Sequence, residues 1–187
     1  SRAAIYFEDW AAAKTAAFAV INSEAFEIAD AADYAGTFNV DDASNSVFEL
    51  AYSSTDNANI NGLQYIYRGN SYGDIQALED ILTIFDETDV RVAADMIDYD
   101  GGGLLRNMGK YPSMDFSDNV SIIRYEEVVL NYAEALFELS DGSALATLNL
   151  IPAKRDAAAY TSISKANIML ERRKELYAEI GVEWFDA

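Results

Sequence analysis

The chain has 187 residues, of which 51% are hydrophobic, no Cys, no His and a formal net charge of −19. That length holds one domain with a core or a portion of a larger protein, and the missing residue types remove disulfides, thiolate nucleophiles, Cys-ligated zinc, Ser-His triads and imidazole metal sites. The acid excess argues against nucleic acid and anionic membrane surfaces as partners, because affinity for phosphates rests on Lys and Arg.

The acidity is uneven, with 19 acids against 4 bases in residues 1–100 and 13 against 9 in residues 101–187. No apolar run approaches the ~18 residues of a membrane span. The start, Ser-Arg-Ala-Ala, lacks the basic and apolar stretches of a signal peptide, so such a leader is absent or already removed.

With only Pro112 and Pro152 and long Ala-, Leu- and Glu-rich stretches, the sequence predicts a mainly α fold with little β structure. The first helix falls within Tyr6 to Ile21, capped by Asp9. Ala13, Ala16 and Ala17 let a second helix approach closely, and Val20 and Ile21 close the apolar stripe. The aromatic, acidic turn, aromatic, Ala order resembles the turn of a tetratricopeptide-like hairpin, so the chain is expected to start inside an element.

Residues 30–120 read as irregular. An extended segment is expected at 45–54, a loop rich in Asn, Gly and Tyr at 59–74, a short helix from Ile75 to Phe85 and a Gly-rich loop at 99–107. The clearest helical period runs from Ile122 to Leu139, with Val129, Tyr132, Ala133, Leu136 and Phe137 inward and Glu127, Asn131, Glu134 and Glu138 on the opposite face. Gly142 is a predicted stop and Ser143 a predicted cap for a helix through Leu145, Leu148 and Ile151, which Pro152 shortens. A last helix fits Ser164 to about Ile180, with Ile168, Met169, Leu176 and Ile180 inward.

Motifs for chemistry are sparse. Asp98, Asp100 and Gly101 open like a calcium loop, but Gly109 falls where the bidentate Glu is required. Gly101 to Gly103 are not followed by the Lys-Ser or Lys-Thr of a phosphate loop. Thirty-two carboxylates guarantee close pairs, yet no pair is marked for acid and base work, so the chain reads as a non-enzyme without cofactor or metal.

Tyrosines in the irregular stretches are the better candidates, since each offers an apolar face and a polar tip suited to sugars. Tyr65, Tyr67, Arg68, Asn70 and Tyr72 cluster on one loop, and Tyr99 lies on another. The alternative is that these rings pack beneath their loops. In the last helix, Arg172 is expected to face Glu175 and Glu179, Glu171 to face Lys174, and Arg173 to reach Glu126 or Glu127 on a neighbouring helix as a bidentate pair.

Several ordered motifs then stand out. Arg124-Tyr125-Glu126-Glu127-Val128 with Asn131-Tyr132-Ala133-Glu134-Ala135, Leu148-Asn149 with Lys154-Arg155, Glu171-Arg172-Arg173-Lys174-Glu175-Leu176 and Trp184-Phe185-Asp186 resemble the C-terminal signature of the SusD/RagB family. Upstream, Tyr6 to Ile21, Tyr34 with Phe38 and Phe48-Glu49, and Asp89-Val90-Arg91 resemble earlier blocks in the right order. Glu179 to Glu183 is one residue longer than the usual pattern, with Glu183 near the usual basic residue, and Pro152 replaces a helical stretch. The resemblance implies the middle and C-terminal portion of one SusD-like domain: a tetratricopeptide-like hairpin at 1–30, a ligand-facing region at 31–120, and a helical hairpin with closing helix at 121–187. Apart from the resemblance, the basic cluster reads as structural, with Arg124, Glu126, Glu171, Arg172, Arg173 and Glu175 expected in ion pairs.

Such proteins are outer-membrane surface lipoproteins of Bacteroidetes-type bacteria, anchored by a lipid on an N-terminal Cys that this chain lacks. They bind oligosaccharides or other nutrients and cap a SusC-like TonB-dependent transporter. Two other readings stay open: a helical-repeat module that binds a protein segment, and a glycoside hydrolase.

Overall fold

The computed structural model describes residues 1–67, 72–73 and 75–179. In order come α1 (Arg2–Tyr6), α2 (Trp10–Ile21), β1 (Ser46–Leu50), α3 (Leu63–Tyr67), β2 (Ile97–Tyr99), β3 (Leu105–Asn107), β4 (Val120–Arg124), α4 (Tyr125–Glu138), α5 (Ala144–Leu148) and α6 (Lys165–Leu176). Short 3-10 turns fill much of the region between α2 and β4. The fold is mainly α, as the sequence predicts.

α2 begins where Asp9 accepts a hydrogen bond from the Ala12 N–H at 3.0 Å, satisfying one orphan donor of the first turn. Ala13 and Ala17 are fully buried, and α2 packs on both α1 and α4. Ala16, expected inward, lies on the exposed side one residue short of the buried stripe. α6 begins at Ser164, whose hydroxyl accepts from the Asn167 N–H, and ends at Leu176. Ile180 and Gly181 lie outside the described residues.

α4 is the central element, packed against α2, α5 and α6. Val129, Leu130 and Ala133 meet Leu148, Ile151, Ile168 and Leu176 in one apolar cluster. A second cluster joins Tyr34 and Phe38 to Ile81, Met96, Ile97, Leu105 and Tyr177, and so fastens the irregular region to the end of α6.

Five expectations change, the first being that the stretch read as a loop at 59–74 carries the helix α3 at Leu63–Tyr67. The helical period read from Ile122 starts at Tyr125, because residues 120–124 form β4 and pair antiparallel with β1. The stop after α4 is made by Ser140, which takes the left-handed conformation at φ 56° instead of Gly142. Residues 79–84 form a 3-10 helix in place of the longer helix expected there. The Gly-rich stretch is a β-hairpin whose five-residue turn is held by Asp100, which accepts from the N–H groups of Gly102 and Leu104 and from Arg106 Nε.

Candidate ligand-binding site

The face that carries the loops is tied to the helical part by a buried ionic network. Arg155 grips Glu175 through Nε to Oε2 at 3.0 Å and Nη2 to Oε1 at 2.9 Å, and also donates to Glu126 and to the Ala29 carbonyl. Arg91 forks onto Asp89 at 2.9 and 2.7 Å while its Nη1 reaches Glu171 and Glu175. Arg124 donates to Glu175 and Glu179 and pairs with Glu126. Lys110 caps the end of α6, donating to the carbonyls of Glu175 and Tyr177 and to Glu179 at 2.6 Å.

Burial alone would raise the Glu175 pKa, but the charges of Arg155, Arg124 and Arg91 outweigh it and hold the carboxyl well below the usual range. For Lys110 burial wins over the pull of Glu179, and its pKa falls to about 8. Since every charge in this network is matched and hydrogen-bonded, it is a scaffold that fixes register.

The pairings differ from those read off a single helix. Arg172 bonds to Glu134 and Asn131 on α4, Glu171 receives Arg91 and the Tyr160 hydroxyl, and Arg173 is half-exposed beside Asp80 at 3.4 Å. Glu126 and Glu127 take Arg155, Arg124 and Arg2 instead. Likewise Glu127, Asn131 and Glu134, expected on an outer face, are buried because these cations come over them. A helical wheel assigns carboxylates to solvent when it cannot see guanidinium groups on other elements.

Elsewhere in the irregular region the loops gather aromatic rings. Tyr65, on the one-and-a-half-turn α3, stands perpendicular to Tyr72 at a centroid distance of 4.8 Å and at 60° to Phe116 at 5.5 Å. Half of Tyr72 is exposed, so the group opens to solvent there, and Met114, two residues before Phe116 in the chain, is 57% exposed. Local sequence explains the assembly. The Ile75 N–H donates to the Ile66 carbonyl at 3.4 Å and brings the chain back beside α3 after its loop. Residues 113–118 close through Asp118, which accepts from the Ser113 N–H and hydroxyl at 2.6 Å each. Gln64 then donates to the Asp118 carbonyl and joins the two loops. Phe116, at φ 65°, takes a left-handed conformation that costs a non-glycine residue roughly 1–2 kcal/mol.

The sequence candidates therefore separate. Tyr65 and Tyr72 come together, and Tyr67 is half-buried on the same short helix. Arg68 and Asn70 lie outside the described residues. Tyr99 is on β2 and donates its hydroxyl to Glu79 at 2.6 Å, which raises its pKa. Phe116 and Met114 were not anticipated, although a loop with an aromatic among Pro112, Ser113, Asp115 and Ser117 carries the same signal as residues 59–74. A groove of about 410 Å³ lies elsewhere, lined by residues between Glu27 and Ser44 and by Lys154. Among the described residues no group of acidic side chains is arranged to hold a metal ion.

Residues 104–187 match the SusD family. No curated protein matches the chain. Among solved structures it resembles a SusD-like carbohydrate binding protein from Bacteroides vulgatus ATCC 8482, with 22% identity, a TM-score of 0.84, and coverage of 99% of this chain and 42% of that one. A SusD superfamily protein from Bacteroides thetaiotaomicron VPI-5482 has 23% identity, a TM-score of 0.82 and coverage of 99% and 47%. Surface glycan-binding protein A from Bacteroides uniformis has 18% identity, a TM-score of 0.78 and coverage of 97% and 46%. The chain spans less than half the length of these solved chains. Residues 104–187 thus carry the sequence pattern of the SusD family, and the chain along its length has the fold of the solved SusD superfamily proteins.

Proposed function

We propose that this chain is part of a cell-surface protein that binds oligosaccharides or polysaccharides without cleaving them, and that the rings of Tyr65, Tyr72 and Phe116 form its ligand platform. The carrying observation is the half-exposed Tyr72 set perpendicular to Tyr65, on an element joined to the 113–118 loop through Gln64 and Asp118. Aromatic faces stack on the C–H patches of sugars while phenol tips reach hydroxyls. Rigid support keeps the ordering cost of binding low. The similarity to a carbohydrate binding protein and to a surface glycan-binding protein agrees with this reading.

In the same reading, residues 31–120 face the ligand, with Tyr67, Arg68, Asn70 and Tyr99 as further contacts. Residues 1–30 and 121–187 form the scaffold and the side toward a SusC-like TonB-dependent transporter of the outer membrane. Phe7 is 84% and Phe18 50% exposed on the α1–α2 side, which suits contact with a further protein surface. A lipid on an N-terminal Cys outside this chain would supply the anchor. Among the described residues no helix is long and apolar enough to cross a membrane.

The test is native gel electrophoresis through a panel of soluble polysaccharides with the parent chain and the Tyr65→Ala, Tyr67→Ala and Tyr72→Ala variants. Retardation by a glycan that is lost in Tyr65→Ala or Tyr72→Ala supports the reading. A chain folded by circular dichroism that no glycan retards refutes it.

A further inference from the structure

Beyond sugar binding as such, the distribution of charge around the aromatic platform bears on which glycans it accepts. Residues 40–120 contain 15 Asp and Glu but only four Arg and Lys, namely Arg68, Arg91, Arg106 and Lys110. Three of the four are withdrawn from the surface. Arg91 is fully buried on Asp89, Glu171 and Glu175. Arg106 is buried on Asp100, with its Nη1 given to the carbonyls of Gly73 and Ile75. Lys110 is fully buried at the end of α6. The fourth, Arg68, lies outside the described residues.

One exposed carboxylate adjoins the rings directly, and others lie on the neighbouring segments. Asp115 precedes Phe116, is exposed, and is kept ionised by the Ser117 hydroxyl at 2.6 Å, which lowers its pKa. Asp56 is exposed on the loop that leads from β1 into α3. Glu49 is held near the 113–118 loop by Asn119 at 2.6 Å. Recognition of sulfate or carboxylate on a sugar calls for guanidinium or ammonium groups at the contact, and like charges brought together oppose binding by several kcal/mol. The whole chain at −19 extends that repulsion outward at low salt.

We infer that the Tyr65–Tyr72–Phe116 platform selects neutral glycans and rejects sulfated or uronate-bearing polyanions. This rests on the proposed glycan-binding function and adds the ligand's charge class to it. The rings supply stacking that any pyranose face can use, so the surrounding carboxylates, and not the rings, set the discrimination. Neutral sugars also keep their hydroxyls available to Asp115 as donors to its carboxylate oxygens.

Isothermal titration of the chain with two neutral polysaccharides, a β-glucan and a mannan, and two anionic ones, a sulfated galactan and a polyuronate, tests this. The expected result is saturable binding to a neutral glycan that salt leaves unchanged, and binding to both polyanions weaker by more than about tenfold. Replacing the exposed Met114→Lys, two residues before Phe116, should raise polyanion affinity in a salt-sensitive manner while leaving the neutral glycan bound. Polyanion binding equal to or tighter than neutral binding overturns the charge selection and leaves glycan binding standing. Heat from none of the four, with a folded chain, overturns both.

Discussion

Arg155 and Glu175 meet in a two-point ion pair from which solvent is excluded, with both side chains 0% exposed, on elements 20 residues apart in sequence. The pair sits where Arg91, Arg124 and Glu126 also converge, so each charge depends on the others for its compensation. Removing one partner of such a set leaves a buried charge without its counterion. Glu175→Gln should lower stability by about 3–5 kcal/mol, read from the midpoint of urea unfolding with unchanged slope. Arg155→Lys should fail to rescue the site, because an ammonium cannot reproduce the planar fork. A loss under 1 kcal/mol for Glu175→Gln would mean that the network is locally solvated.

The network also fixes the acid limb of stability. Glu175 and Glu179 hold their carboxyls below the ordinary value of 4.5 because nearby arginines, joined by Lys110 at Glu179, outweigh burial. The unfolded chain therefore binds more protons than the folded one in acid. Their contribution is complete above pH about 4.5 and is lost as pH falls through the folded values. Calorimetric Tm should drop steeply below pH 4, and the drop should be shallower in Glu179→Gln, whose carboxyl no longer titrates.

Lys110 acts in the opposite sense at alkaline pH. Its folded pKa of about 8 lies below the ordinary 10.5, so between these values the unfolded chain holds a proton that the folded chain has released. Its burial penalty is full below pH 8 and shrinks as pH rises toward 10.5, giving a gain of at most about 3 kcal/mol. Tyr34 and Tyr111, raised well above 10 by burial, reverse the trend beyond pH 10, where the unfolded chain loses protons that the folded chain keeps. Measured by urea unfolding, the parent should gain stability relative to Lys110→Met from pH 8 to 10; a constant difference would refute the buried, depressed Lys110.

Gly109 faces a different constraint. A Cβ there would lie 2.2 Å from Met96 Sδ and 2.8 Å from the Asp95 carbonyl oxygen, and the second of these is backbone. Gly109→Ala should cost about 1–3 kcal/mol through overpacking, seen as a lower Tm. Gly101→Ala, with nothing within 4 Å, should change Tm little.

At the platform, Tyr72→Ala removes a half-exposed ring and should leave stability within about 0.5 kcal/mol of the parent. Glycan binding should weaken by at least about tenfold if stacking contributes its usual share. Loss of binding with loss of fold, by circular dichroism, would instead assign the ring to packing.

Local chemistry set what the sequence determined alone. Asp9 and Ser164 cap their helices through short-range hydrogen bonds, the apolar period of α4 needs only neighbours three and four residues away, and the β-branched and aromatic run at Ser46 to Leu50 favours a strand. The ordered motifs carried the resemblance to the SusD family as well, and residues 104–187 match that family. Partner choice lay beyond that reach. Arg173 and Arg172 are adjacent in sequence, yet one is half-exposed beside Asp80 and the other is buried against Glu134, a difference set by where α4 crosses α6. Residues 120–124 became a strand because β1 waits opposite them, and Phe116 joined Tyr65 because Gln64 and Asp118 bring two distant loops together. Sequence spacing fixes what lies within a turn or two of helix; contacts across tens of residues depend on chain reversal and packing, which only the tertiary structure decided.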